Sequence, residues 1–141
     1  MSGDPFRPAR KITHAGALAM IAAAVAEATR LGAPVNVVVV DESGVDLAFV
    51  RMDGAKFLSI ETARAKAQTS ASHRRPSTRI PADIATGLAF ASGGRITDMA
   101  GGLPVFIDGA CVGGIGIGSA SDEDDIAIAR AALAAVGADE V

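Results

Sequence analysis

The clearest pattern along the chain is the run VNVVVV at residues 35–40, too β-branched and too apolar for anything but a central strand. After the turn Asp41-Glu42-Ser43-Gly44, Val45, Leu47 and Phe49 alternate with Asp46 and Ala48, which predicts a second strand and closes a hairpin. A second hairpin is predicted over residues 105–118. Val105, Phe106 and Ile107 lead into Asp108-Gly109, a two-residue turn that needs positive φ. On the returning strand Ile115 and Ile117 point to one face, and Gly114, Gly116 and Gly118 leave the other bare. A face without side chains admits another backbone, a helix or a flat ligand.

Helices are predicted around the two hairpins. The first begins at its cap Thr13, turns Leu18, Ile21 and Val25 to one side, and stops at Gly32 and Pro34. The second runs from about Phe57 to His73, with a narrow face of Ile60, Ala63, Ala67 and Ala71 and a polar stripe of Thr62, Lys66, Thr69 and His73. A short helix spans Ile84 to Phe90. The last is capped by Ser121, carries Asp122, Glu123, Asp124 and Asp125 in its first turn, and presents Ile126, Ala129, Leu133 and Val136 before Gly137 ends it. Antiparallel pairs covered by helices make an α+β sandwich and not a doubly wound nucleotide fold.

Composition changes this picture in one respect. Half of the 141 residues are hydrophobic, but aromatics are only 4% and all are Phe. A single small domain (residues 12–141, after an extended arm at 1–11 holding Gly3, Pro5 and Pro8) is too apolar to cover its own surface. A homo-oligomer is therefore expected. The net charge of −3, and a basic run limited to His73-Arg74-Arg75 without stacking aromatics, speak against nucleic acid. Cys111 stands alone, which excludes an intramolecular disulfide, and its apolar strand suggests a buried, inert thiol. No apolar run approaches membrane-spanning length and no signal core follows the charged start, so a cytoplasmic location is expected.

Several chemistries drop out on their residues. Gly114-x-Gly116-x-Gly118 precedes a helix that opens with four carboxylates, which would repel the phosphate a glycine loop should bind. Asp122–Asp125 lacks the spacing of a calcium loop. His14 and His73 are far apart and unaccompanied by a carboxylate pattern, so no metal site is expected. No Gly-x-Ser-x-Gly elbow is present. What remains is a pocket bounded by Lys66 and His73, by Arg51 and Asp53 at the hairpin end, by the loop delivering Arg95, Thr97 and Asp98, and by Gly101-Gly102. Arg51, Lys66 and Arg95 suit a carboxylate. His73 suits proton transfer or iron ligation near neutral pH.

Residues 37–72 and 101–129 closely resemble the GlcG/HbpS family, which is related to the C-terminal domain of PduO-type proteins. The resemblance is carried by Asp41, Gly44, Arg51, Asp53, Lys66, Gly102, Pro104, Asp108-Gly109, Gly113, Gly118 and Asp125, in that order. It implies a profilin-like sandwich with an antiparallel sheet of about five strands, helices on both faces, and homo-oligomeric assembly. It also implies haem as a ligand, although the chain has no Cys-x-x-Cys-His attachment pattern and no Tyr or Trp. Many relatives carry an apolar aromatic near the position of His73. Two functions follow. One is binding of haem or a related tetrapyrrole; the other is a small cofactor-independent isomerase or lyase. The enzyme would act on a carboxylated catabolic metabolite, with His73, Asp53 and Lys66 as catalytic candidates and Arg51, Arg95, Thr97, Gly101 and Gly102 holding the ligand.

Overall fold

A computed structural model describes residues 3–141; the first two residues of the expected arm lie outside it. Strands β1 (Asn36–Asp41), β2 (Asp46–Arg51), β3 (Gly102–Ile107) and β4 (Ala110–Gly118) form one antiparallel sheet in the order β2-β1-β4-β3. The sheet therefore has four strands among the described residues, not about five. The valine run occupies an inner position, hydrogen-bonded on both sides and buried on both faces. Val37 and Val39 join Leu103, Val105, Ile115 and Ile117 on one face, and Val38 and Val40 face the other way.

Both turns follow from their side chains. The Asp41 carboxylate accepts from the amides of Ser43 (2.8 Å) and Val45 (3.1 Å), closing the first hairpin. Asp108 (φ 51°) and Gly109 (φ 78°) both take the left-handed conformation that a tight hairpin twist requires. β2 is an edge strand and meets β1 through a register shift at Val39/Val40, so Val45 and Phe49 are exposed while Leu47, Ala48 and Val50 pack on the core. Pro104 is tolerated in β3 because that strand is the opposite edge.

Helices α1 (His14–Leu31) and α4 (Asp122–Ala135) lie together on the face of Val37 and Val39. The Thr13 hydroxyl accepts from the Gly16 amide at 3.0 Å, and Gly32 at φ 67° ends α1. The buried stripes differ from those expected. α1 buries Ala17, Met20, Ala24 and Ala28, leaving Leu18 58% exposed, and α4 buries Asp125, Ile128, Ala129, Ala132 and Leu133. Each helix meets its neighbour as well as the sheet, and the alanines turn into that seam because only small side chains let two helices and a sheet close at once.

Helix α2 (Ser59–His73) covers the other face. A Cβ on Gly114 or Gly116 would collide with the carbonyl oxygen of Ala67 or Ala63, and one on Gly118 would sit 2.6 Å from that of Ser59. Alternate glycines of β4 thus meet the carbonyls of successive helical turns, because two strand residues (~6.8 Å) and four helix residues (~6 Å) advance by similar distances. The bare face is filled by α2, which excludes a flat ligand there. After a 3-10 turn at Ser77–Arg79, α3 (Ala82–Ala91) projects from the body: Ala85 is its one buried residue, and Phe90 is 91% exposed.

Replacing Gly116 by Ala should lower unfolding stability by about 3 kcal/mol or more, because a backbone carbonyl must move to admit the methyl group. Gly87→Ala, in open space on α3, should be neutral or stabilising by up to about 1 kcal/mol. Urea unfolding of both variants checks the pair, and equal midpoints would contradict the packing argument.

Candidate functional site

The expected pocket residues divide among four places. Lys66, Gly101 and Gly102 lie in the interior. Gly102 faces the Lys66 carbonyl and the Ser70 hydroxyl, and Gly101, at φ 112°, lies against Asp125 and the Lys66 ammonium. With no side chain at either glycine, Lys66 passes the start of β3 and reaches the opposite layer. Its Nζ donates to the Ile117 carbonyl (2.7 Å) and to Asp125 Oδ2 (3.3 Å), and Asp125 Oδ1 accepts from the Ala120 amide at 2.8 Å. Both side chains are only 2% exposed. Burial pushes the Asp125 carboxyl above its ordinary range, outweighing the downward pull of the Ala120 N–H and the Lys66 charge. Sequence reasoning assigned Asp125 to the helix dipole. Its position three, four and seven residues before Ile128, Ala129 and Ala132 was the signal that it faces inward.

Arg51 ends β2 and Asp53 lies just beyond it, both exposed, on the side of the sheet where Asn36 Nδ2 donates to the carbonyls of Gly118 (3.0 Å) and Lys56 (2.9 Å) near the start of α2. His73 closes the other end of that helix, roughly 20 Å away at 1.5 Å per residue. Within one chain these groups do not converge. His73 is half-buried and its Nε2 is buried without a hydrogen-bond partner. Burial lowers its pKa, and the Arg75 charge adds to the effect against the opposing backbone contacts of Pro76 and Arg75.

Arg95 and Thr97 occupy the fourth place, a loop that crosses the outer side of α2. Thr69 Oγ1 donates to the Arg95 carbonyl (3.1 Å) and accepts from the Thr97 amide (3.0 Å), fixing the loop by one hydroxyl. Ser92 Oγ accepts from the Ile96 amide at 2.9 Å. Farther along, Ser77 Oγ accepts from the Gly102 amide at 3.0 Å and donates to the Met99 carbonyl. On one side of the loop lies a cleft of about 790 Å³, with Arg7, Arg74 and Arg95 in its wall alongside Phe106, Ile96 and Cys111. On the other lies a recess of about 490 Å³ reached by Thr97, Thr62 and Met99. Arg95 borders both.

Sequence reasoning missed Arg7, Arg74 and Cys111 as cleft residues. Cys111 is half-buried, not buried, and its thiol lies 3.4 Å from the Gly113 carbonyl and 3.8 Å from that of Ala71. Nothing in the local sequence marks Arg7, which reaches the cleft only because the arm folds back. Among the described residues no cluster of His, Cys, Asp and Glu suits a metal ion, and no helix is long and apolar enough to cross a membrane.

The family model described as haem degrading protein HbpS-like matches residues 12–134. The chain belongs to this HbpS-like family. It is 35% identical over 119 residues to the corrinoid adenosyltransferase PduO of Salmonella typhimurium, covering 81% of this chain and 35% of the relative. The chain thus spans about a third of that protein's length. It is 33% identical over 102 residues to protein GlcG of Escherichia coli K12, covering 72% of this chain and 76% of GlcG. Among solved structures it resembles a PduOC–haem complex (TM-score 0.85, 29% identity, 92% of this chain and 98% of that one). It also resembles HbpS (TM-score 0.84, 34% identity, 97% and 98%). These likenesses bear out the GlcG/HbpS resemblance and its α+β fold.

Lys66→Met should cost about 3–5 kcal/mol by leaving a buried carboxylate unpaired, and adding Asp125→Asn should recover more than half of the loss; equilibrium unfolding of the single and double variants reads both. For His73 the sign follows from its lowered pKa. The unfolded chain takes up the proton first as pH falls below 6.5, so stability from the neutral imidazole is complete above that pH and is lost as pH drops through the folded value. His73→Gln should flatten the fall in melting temperature as pH drops below about 6.5. An unchanged slope would show that another group titrates there.

Proposed function

We propose that the chain binds haem or a related tetrapyrrole in the cleft between the C-terminal half of α2 and the loop carrying Arg95. The observation that supports this reading is the character of the cleft wall. Ala71, Ile96 and Phe106 offer apolar contact to a large flat ring, Arg95 offers a cation to a propionate, and Cys111 offers a soft donor to iron. A volume of about 790 Å³ falls within the range of small-molecule sites. Bound haem would supply redox or ligand-binding chemistry; this chain's part is to hold it and screen it from water. Relatedness to HbpS and to the PduOC–haem complex adds weight. The same proposal takes residues 12–141 as one profilin-like cytoplasmic domain. It assembles with copies of itself through exposed apolar groups such as Phe57, Leu58 and Phe90.

The alternative, a cofactor-independent isomerase or lyase on a carboxylated metabolite, draws on His73. Its neutral imidazole with an unpartnered Nε2 is suited to accept a proton. Asp53 stands at the other end of α2, so the two would not share one substrate within a chain.

A hemin titration followed in the Soret band tests the first reading. Wild type should give a saturable one-to-one shift, and Arg95→Ala should weaken it about tenfold. Altered spectra in Cys111→Ala would identify Cys111 as the axial group, with His73→Ala, outside the cleft wall, expected to leave the spectrum unchanged. Weak, unsaturable uptake by wild type would discard haem and turn attention to turnover of small carboxylates.

A further inference from the structure

The chain carries a net charge of −3, yet three arginines, Arg7, Arg74 and Arg95, line the larger cleft. Its one carboxylate, Glu42, pairs with Lys11 through Oε1, while its Oε2 is buried without a partner. Among the described residues none of the three arginines forms an ion pair; Arg95 Nε donates only to the Ser92 carbonyl, at 3.3 Å. All three are exposed and lack a counter-charge from this chain, so an anion entering the cleft can reach them.

Each arrives from a different part of the chain. Arg95 is held by the loop that Thr69 fixes. Arg74 terminates α2 at φ 62°, ψ 35°, nearly the conformation with which Gly32 terminates α1 at φ 67°, ψ 28°. Glycine takes this left-handed position without strain, and a side chain there is opposed by its own Cβ. A basic residue for the helix dipole needs no such placement, since Arg75 stands next in sequence. A strained arginine in a cleft wall points to a use for its side chain. Arg7 comes from the arm, which is tied across the turn end of the sheet by three contacts. They are Arg10 on Asp108 (3.0 Å), Lys11 on Glu42, and Ile12 over Gly113.

We propose that Arg7, Arg74 and Arg95 form a clamp for a ligand bearing at least two separate carboxylates, with the N-terminal arm closing one side of the cleft. The proposal rests on the cleft being the ligand site. A guanidinium grips a carboxylate through two parallel N–H donors, so three forks around one space select for a polyacid over a monoacid. The two propionates of a tetrapyrrole and the carboxylates of a small polyacid share this chemistry.

The test uses hemin, hemin dimethyl ester and, at constant ionic strength, citrate, on the full chain and on Arg7→Ala, Arg74→Gly and Arg95→Ala. Arg74→Gly relieves backbone strain, so its losses do not come from misfolding. Wild type should bind hemin at least tenfold more tightly than the ester, and each substitution should lower hemin affinity about tenfold while leaving the ester unchanged. Citrate should raise the melting temperature of wild type and lose that effect in the variants. An arginine-dependent preference for either probe sustains the clamp. If hemin fails to saturate while the citrate effect still requires the arginines, the tetrapyrrole reading falls and the clamp stands. If hemin and ester bind alike and citrate acts equally on all four proteins, or if wild type binds no probe, the clamp is overturned.

Discussion

The fold depends on how closely α2 lies against β4. Helices pack on sheets through side chains, which hold the two backbones apart; here Gly114, Gly116 and Gly118 remove one side of that spacing and Ala63, Ala67 and Ala71 most of the other. The layer gains dispersion contacts between backbones and gives up a conventional apolar core on that face, where the buried cluster is only Val38, Val40 and three alanines. The larger core sits across the sheet, where Met20, Ile115, Ile117, Ile128 and Leu133 supply volume. Because α2 is so near, a lysine on it reaches through to α4. The Lys66–Asp125 pair is thus a product of the glycine face, and it joins three layers at the point where Gly101 and Gly102 leave room.

Much of this was legible in residue order. Thr13 and Ser121 marked helix starts, Gly32 a helix end, Asp108-Gly109 a turn, and the Ile/Gly alternation of β4 its two different faces. These signals are local, each decided by a few neighbouring residues. The strand count and the buried stripes of α1 and α4 were not decided locally. Leu18 has the greater hydrophobicity, but Ala17 has the size that a seam between two helices and a sheet accepts. Lys66 shows the same limit from the polar side. A lysine at helical spacing from a threonine and a histidine reads as a wet stripe until its partner, 59 residues away, is placed.

The candidate site escaped sequence reading for a related reason. The residues gathered beforehand were chosen as chemically capable, and the fold sends them to an interior ion pair, to the two ends of one helix and to one surface loop. Arg95 alone of the expected arginines stands in the cleft, and its companions come from an extended arm and a helix end that carry no motif. One solved neighbour is a PduOC–haem complex, and Arg95, Ile96, Phe106 and Cys111 are the lining residues on which the proposal of a similar ligand here depends.

The loop from Ser92 to Met99 has one further property. It is fastened to α2 by the single hydroxyl of Thr69, which accepts from the Thr97 amide and donates to the Arg95 carbonyl two residues before it. The loop is also the partition between the cleft and the smaller recess. Arg95 and Ile96 line both spaces, so a ligand that displaces either residue in one alters the wall of the other. Thr69 thus anchors the stretch that walls both spaces, and Ser77 holds the Met99 end of the same loop.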